Sequence, residues 1–171
     1  AYHLLRQALR QPDPVVFIEH KALYAKSEEV DLAAPVPDWG KAAVRRRGDD
    51  LVIVTYTRQL HYALEAAEAL AAEGIEATVI DLRTLNPLDF DTIRPLVEAA
   101  GKAMVVSEGP MTAGVAAELA ARIGEECFDF LENPVLRVAG EDIPISVSTD
   151  LETGSVPSAR SIASAARRLV A

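Results

Sequence analysis

IDLRTLNPLD, residues 80–89, is the stretch of sequence that decides the fold. Residues 77–80 form a short apolar and β-branched run that predicts a strand, and Pro87 cannot continue either a strand or a helix interior. Asp89 is a favourable N-cap for the apolar-periodic segment that follows it. The stretch therefore predicts a strand end, a polar loop and a helix start. That combination marks the carboxyl edge of an α/β sheet, where such folds usually place their ligand sites.

Strands alternate with amphipathic helices over most of the chain, which predicts a mostly parallel sheet with right-handed crossovers. The predicted helices cover residues 2–11, 59–73, 90–99, the segment after Thr112, and 158–170. The predicted strands cover residues 15–18, 42–46, 51–55, 77–81, 103–107 and 135–138. A tight turn at residues 48–50 separates two of these strands, so we expect strands 42–46 and 51–55 to form an antiparallel edge pair. The predicted fold class is α/β, with three layers, a mostly parallel sheet and one antiparallel edge strand.

The first part of the chain differs from the rest. Residues 25–39 contain two prolines and show no periodicity, which predicts a linker. One helix and one strand cannot close a core, so we expect residues 1–35 to be the end of a preceding domain and residues 36–171 to form a second domain. The chain begins with Ala1 rather than methionine. We therefore expect it to be part of a longer polypeptide.

The charge of the chain is uneven and excludes some partners. Residues 48–171 carry nine Lys/Arg and twenty Asp/Glu, a net charge of −11 within a total of −9. Such a surface repels phosphate backbones, so no nucleic-acid binding is predicted. The acidity serves either plain solvation or the steering of a basic partner. We predict no membrane span, because there is no long apolar run, and no signal peptide.

Three candidate chemistries find little support in the sequence. Cys127 lies on the apolar stripe predicted to run from Ala116 to Phe130, which favours a packing role. As the lone cysteine, it also fits a reducing cytoplasm. The three histidines are scattered along the chain, so no zinc site is predicted. The spacing of Gly109 and Gly114 matches a phosphate loop, but the Lys-Ser/Thr pair of such loops is absent.

The candidate functional residues are therefore interface residues. Asp81 and Arg83 should form an ion pair at a domain interface. For His61, packing at a helix N-terminus and contact with a substrate or another subunit both remain open. Glu125, Glu126 and Asp129 on the outer face of a predicted helix could dock a basic partner. The complete set of interface candidates is His20, Tyr56, His61, Asp81, Arg83, Glu108, Glu125, Glu126 and Asp129.

IDLRTLNPLD also resembles the signature of the beta subunit of thiamine-diphosphate-dependent 2-oxo-acid dehydrogenases. Further matches to that family follow in order along nearly the whole chain. They are PVVFIEHK at 14–21, LY at 23–24, GKA at 40–42, VTY at 54–56, H-x-ALEAA at 61–67, VSE at 106–108 and PV-x-RV at 134–138. The chain departs from the family pattern at residues 108–119, where it lacks a basic residue and a glycine, and at 145–148, where the family usually has PYA.

The resemblance implies a transketolase C-terminal-like domain, preceded by a remnant of the pyrimidine-binding domain. It implies that the whole enzyme uses thiamine diphosphate and magnesium. The catalytic, cofactor-binding and metal-binding residues belong to other parts of that enzyme, so none is expected in this chain and the segment alone should bind no cofactor.

The implied reaction is the oxidative decarboxylation of a 2-oxo acid, with transfer of the acyl group to the lipoyl arm of an acyltransferase. The implied partners are an alpha subunit, a second beta subunit and the small basic subunit-binding domain of the acyltransferase. The sequence does not choose between pyruvate, a branched-chain 2-oxo acid and acetoin. Two alternatives remain open: the corresponding domain of a transketolase or deoxyxylulose-phosphate synthase, and a free-standing flavodoxin-like module.

Overall fold

A five-stranded sheet forms the centre of the molecule. The computed structural model describes the backbone of residues 1–171 and all side chains except those of residues 149 and 150. The strands are β1 (Ala43–Arg46), β2 (Leu51–Thr55), β3 (Ala77–Asp81), β4 (Ala103–Pro110) and β5 (Leu136–Gly140). Their order is β1-β3-β2-β4-β5. Strands β2 to β5 are parallel and β1 is antiparallel to its neighbour, which confirms the predicted sheet.

The helices are α1 (Tyr2–Ala8), α2 (Gln59–Ala71), α3 (Phe90–Ala100), α4 (Val115–Glu126), α5 (Thr149–Ser155) and α6 (Ala159–Val170). Of these, α2 and α6 cover one face of the sheet, and α3 and α4 cover the other. Successive side chains of a strand point to opposite faces. Leu51 and Ile53 of β2 accordingly pack in one core with α2 and α6, whereas Val52 and Val54 pack in a second core with α3 and α4. The predicted three layers are confirmed.

The predicted pairing of the first two strands of this sheet is wrong. Strand β1 pairs with β3, not with β2. All five residues of β2 are buried, so β2 needs a strand on each side, and β3 and β4 take those two places. The turn between β1 and β2 packs on β3 instead, where the Gly48 N–H donates to Thr78 Oγ1 at 3.0 Å.

The predicted strand at residues 15–18 is also wrong. These residues run without strand pairing, and the side chains of Val16 and Ile18 are 87% and 71% exposed. A strand needs a neighbour to accept its backbone hydrogen bonds, and neither sheet edge provides one here. Helix α1 ends at Ala8 rather than at residue 11, and Ala8 is the only buried residue of that helix.

The second half of the chain differs from the predicted elements in two places. No helix or strand is predicted between residues 139 and 157, yet this stretch contains α5, a seven-residue helix whose sequence carries no apolar period. The apolar stripe predicted to reach Phe130 ends at buried Cys127, because α4 stops at Glu126 and residues 128–130 form a 3₁₀ turn. Within the described structure, no helix is long and apolar enough to cross a membrane.

Candidate functional site at the carboxyl edge of the sheet

The loops after β2, β3 and β4 meet at one edge, because these strands are parallel. Each loop holds one residue other than glycine in a left-handed conformation. They are Thr57 at φ 54°, Arg83 at φ 58° and Ala113 at φ 55°. Such conformations cost about 1–3 kcal/mol each and cluster where a fold positions functional groups. Sequence patterns gave no signal for this, because all three residue types normally avoid positive φ.

His20 and Glu108 form the closest side-chain pair at this edge. His20 Nε2 lies 2.7 Å from Glu108 Oε2, and the Arg58 guanidinium lies 3.5 Å from the other carboxylate oxygen. The N–H of Ala22 donates to His20 Nδ1 at 3.2 Å, so Nδ1 carries no proton and Nε2–H is the donor to Glu108. Both ring nitrogens are therefore occupied by groups of this chain. The geometry does not suit His20 to act as a general base.

Tyr56 belongs to a second group of hydrogen bonds between β2 and β4. Its hydroxyl lies 2.9 Å from Ser107 Oγ, and that oxygen also accepts the N–H of Gly109 at 3.1 Å. Thr55 Oγ1 donates to the Val106 carbonyl at 2.9 Å. These bonds hold the ends of the two strands together. Ser107 and Arg58 were not among the predicted site residues, although Ser107 belongs to the VSE match; nothing in the local sequence distinguishes Arg58 from other polar residues.

Asp81 and Arg83 lie together as predicted, but their ion pair is long. The distance from Arg83 Nε to Asp81 Oδ2 is 4.0 Å, and the Arg83 N–H donates to Oδ1 at 3.3 Å. Burial raises the pKa of Asp81, and the hydrogen bond from the Arg83 backbone N–H and the positive charge of Arg83 only partly oppose this effect. The pKa of nearby His61 is lowered, first by partial burial and then by Lys26 and Arg45. The interface role of these residues remains a prediction.

Asp89 links the loop after β3 to the segment that precedes β1 through its buried side chain. Its carboxylate, 1% exposed, accepts Lys41 Nζ at 3.1 Å, the Ala42 N–H at 3.0 Å and Thr92 Oγ1 at 2.6 Å. Asp89 occupies the N-cap position of α3 as predicted, but its side chain does not bond the helix backbone. Burial alone would raise the pKa of Asp89. The bonds from Thr92, Ala42 and Lys41 outweigh burial and lower it.

Gly40 allows the segment before β1 to approach the loop after β3 closely. It adopts φ +75°, and a Cβ atom at this position would lie 2.6 Å from Pro87 Cγ. The loop after β3 therefore sits directly on the chain that enters β1. Lys41 was not among the predicted site residues, although it belongs to the GKA match.

The acidic candidates lie elsewhere, at the C-terminal end of α4. Glu125, Glu126 and Asp129 are exposed, and Arg122 Nε donates to Glu126 at 2.7 Å. Beside them, the ring of Phe128 is 74% exposed and that of Phe130 is 49% exposed. We call these five residues the acidic aromatic patch. Helix α4 connects the parallel strands β4 and β5, so its C-terminal end lies at the amino edge of the sheet. The patch is therefore at the opposite edge from His20 and Asp81.

The described side chains show no group suited to metal binding or to thiol chemistry. No cluster of three or more His, Cys, Asp or Glu that could hold a metal ion occurs among the side chains that the structure describes. Burial raises the pKa of the Cys127 thiol, which keeps it protonated at neutral pH. The packing role predicted for Cys127 agrees with its place in the core formed with α3 and α4.

Comparisons with known proteins give the family. The model of the transketolase C-terminal domain matches residues 40–162. The chain is 44% identical over 165 residues to the acetoin:2,6-dichlorophenolindophenol oxidoreductase subunit beta of Cupriavidus necator, covering 96% of this chain and 49% of that protein. It is 42% identical over 170 residues to the pyruvate dehydrogenase E1 component subunit beta-1, mitochondrial, of Arabidopsis thaliana, covering 96% and 47%. The corresponding subunit of Bacillus subtilis is 43% identical over 168 residues, covering 98% and 51%.

Solved structures agree with this fold. A split-gene transketolase, described as an inactive beta4 tetramer, aligns with a TM-score of 0.67 and 25% identity over 84% of this chain and 45% of that one. A transketolase mutant of Pichia stipitis aligns with a TM-score of 0.51 over 77% of this chain and 18% of its own; at 13% identity it supports the fold alone. The chain spans about half the length of the curated relatives named above. The resemblance to the beta subunits is thereby confirmed, and the chain belongs to the transketolase C-terminal domain family.

Proposed function

We propose that this chain is the C-terminal part of the beta subunit of a thiamine-diphosphate-dependent 2-oxo-acid dehydrogenase. The observation that carries the proposal is identity of 42–43% over 96–98% of the chain to beta subunits of pyruvate dehydrogenases. Transketolases are less similar, at 13–25% identity. The whole enzyme would decarboxylate a 2-oxo acid oxidatively and pass the acyl group to a lipoyl acyltransferase. Pyruvate and acetoin are supported by the names of relatives, and a branched-chain 2-oxo acid remains open.

Within that enzyme, we propose an assembly role for this segment. The polar side chains at the carboxyl edge bond one another, as His20 does with Glu108 and Tyr56 with Ser107, instead of converging on a pocket. We expect no magnesium–diphosphate site within this segment, in keeping with the lack of any cluster of three or more His, Cys, Asp or Glu suited to a metal ion among the described side chains. The catalytic and cofactor-binding residues would come from other parts of the enzyme.

The domain division is proposed as well. Residues 1–35 would be the end of the pyrimidine-binding domain and residues 36–171 the transketolase-like domain. The exposed apolar side chains of Val16 and Ile18 support this, because they lack a covering layer here. The family match beginning at residue 40 supports a boundary nearby. The proposed partners are an alpha subunit and a second beta subunit. A cytoplasmic location remains a prediction, since some relatives are named mitochondrial.

A titration tests the assignment of the cofactor site. The 171-residue chain, titrated with thiamine diphosphate and magnesium in a calorimeter, should show no saturable binding. A heterotetramer of the full-length beta polypeptide and its alpha subunit should bind both and decarboxylate a 2-oxo acid. Micromolar binding by the chain alone would place the site within these residues. A cofactor-loaded heterotetramer that acts on neither pyruvate, branched-chain 2-oxo acids nor acetoin would remove the proposed function.

We further propose that the acidic aromatic patch docks the subunit-binding domain of the acyltransferase. By the family resemblance that domain is small and basic, and the patch combines carboxylates with two exposed rings. Aromatic side chains are frequent energetic anchors of interfaces, while surrounding charges steer the encounter. The net charge of −11 over residues 48–171 favours a basic partner in the same way.

Salt should therefore slow docking. The Debye length is about 30 Å at 0.01 M and about 8 Å at 0.15 M ionic strength, so we expect the association rate to fall about tenfold between these conditions. The dissociation rate should change little, because apolar contacts at the patch are not screened. The measurement is binding of the whole enzyme to the immobilised subunit-binding domain across a salt series.

Matched variants locate the effect. Replacing Glu125 and Asp129 by their amides should reduce the salt dependence, whereas Glu65→Gln, at an exposed position of α2, should leave it unchanged. An association rate independent of salt would reduce the acidity to plain solvation. Undiminished salt dependence in the double variant would place docking on another surface.

A further inference from the structure

His20 connects a mostly exposed segment to the folded domain. The residues around it are largely uncovered, including Val16, Ile18 and Tyr24. The hydrogen bond from its ring to Glu108 spans 88 positions of the chain. His20 also caps the 3₁₀ turn Lys21–Leu23, because its Nδ1 accepts the N–H of Ala22. One imidazole therefore fixes the local turn and bonds to the end of β4.

Glu108 in turn joins this segment to a third part of the fold. The guanidinium of Arg58, the N-cap residue of α2, lies 3.5 Å from its Oε1. Arg58 is itself held by Tyr62, whose hydroxyl accepts a hydrogen bond at 2.8 Å and whose ring lies 5.3 Å from the guanidinium carbon. The side chains of His20, Glu108 and Arg58 are only 22–24% exposed. Partial burial makes such a cluster stronger than a surface ion pair.

We propose that His20, Glu108 and Arg58 form a latch that fixes where the chain enters this domain. The inference rests on the proposed function, in which residues 1–35 lead from the domain that contributes to the active site. In the whole enzyme, these three residues are then positioning residues. They act on the reaction only through the placement of the preceding segment, since His20 has no free ring nitrogen.

Two substitutions of His20 separate the two bonds of its ring. In His20→Gln, the side-chain amide reaches the place of Nε2 and can donate to Glu108. In His20→Asn, the shorter side chain reaches only the place of Nδ1, so it can accept from Ala22 but cannot reach Glu108. Both variants remove the imidazole equally. His20→Asn lacks only the bond to Glu108 and His20→Gln lacks only the bond from Ala22, so a larger effect of His20→Asn reports the bond to Glu108.

Limited trypsin digestion of the native whole enzyme is the direct measurement. Lys21 and Lys26 are exposed and lie in the segment that the latch holds. A hydrogen bond to a charged group contributes about 1.5 kcal/mol, so His20→Asn and Glu108→Ala should each raise cleavage there about tenfold. The kcat should fall with unchanged KM for the 2-oxo acid. His20→Gln should keep most of the wild-type resistance and kcat, and His20→Asn combined with Glu108→Ala should add little to either single change.

Two results would overturn the latch. Equal behaviour of His20→Gln and His20→Asn would show that the bond to Glu108 has no positioning role. A loss of kcat in both variants without any change in cleavage would assign His20 to the chemistry instead. Digestion does not require activity, so it tests the latch even if the wild-type enzyme decarboxylates no 2-oxo acid. Such an inactive wild-type enzyme would remove the proposed function, and the cleavage rates of the variants would still confirm or overturn the latch.

Discussion

Replacing Asp89 by alanine should lower the free energy of unfolding of the 171-residue chain by about 3 kcal/mol. The carboxylate is buried and accepts three hydrogen bonds, from Lys41, Ala42 and Thr92. The variant would leave the Ala42 N–H and the Thr92 hydroxyl without their acceptor on the inner side of the loop after β3. Lys41, whose side chain is half exposed, can return to water. Urea denaturation followed by circular dichroism measures the difference.

Asp91 provides the matched control. It lies two residues further along in the first turn of α3 and is exposed, so Asp91→Ala should change stability by less than about 0.5 kcal/mol. Asp89→Asn keeps the shape of the side chain but not its charge, and it should fall between the two. Equal losses for Asp89→Ala and Asp91→Ala would mean that helix-end electrostatics, rather than the buried connection, explain the effect.

The pH dependence of this loss has a defined sign. The folded-state pKa of Asp89 is lowered below its value in the unfolded chain, which is about 3.9. The stabilisation is therefore fully present above about pH 4 and is lost as the pH falls through the folded-state pKa. The difference in unfolding free energy between wild type and Asp89→Ala should accordingly shrink below about pH 4.

Local sequence patterns predicted most of the fold but not every pairing. Strand β3 and the start of α3 after Asp89 follow from short-range signals, namely a β-branched run and a favourable N-cap residue. The partner of β1 does not, because a tight turn predicts a hairpin unless the burial of β2 on both faces is known. The strand predicted at residues 15–18 failed for a similar reason. Its apolar pattern predicts a strand, but pairing depends on a neighbour elsewhere.

At the carboxyl edge, the positions of the polar residues could be predicted from local sequence, but their long-range hydrogen bonds could not. Asp81, Arg83 and Glu108 could be placed at one edge, because each lies at or just beyond the carboxyl end of a parallel strand. The bond between His20 and Glu108 could not, since two polar residues 88 positions apart carry no mutual signal. Asp89 was recognised as a helix start, yet its carboxylate bonds a loop 47 positions earlier. Sequence patterns identified the edge, and distant contacts determine how its groups are used.

Replacing Arg83 by alanine should weaken assembly of the whole enzyme by about 2 kcal/mol, a roughly thirtyfold change in the dissociation constant. Its backbone is held at φ 58°, and its contact with Asp81 is long at 4.0 Å. A pair of that length adds little to the isolated fold, so the guanidinium remains able to bond a partner surface. We expect that surface to be the preceding domain or a second subunit, and sedimentation of the whole enzyme measures the change.

Thermal unfolding of the isolated chain should change much less than assembly does. Burial raises the pKa of Asp81, so removal of Arg83 should raise it further and cost some stability above that pKa, where Asp81 is ionised. Arg94→Ala is the matched control, because Arg94 bonds Glu98 on the exposed face of α3 and should affect neither property. Equal thermal losses for Arg83→Ala in the isolated chain and the whole enzyme would instead make Asp81 and Arg83 a purely internal ion pair. Unequal losses, with weakened assembly, would place the loop after β3 at the interface.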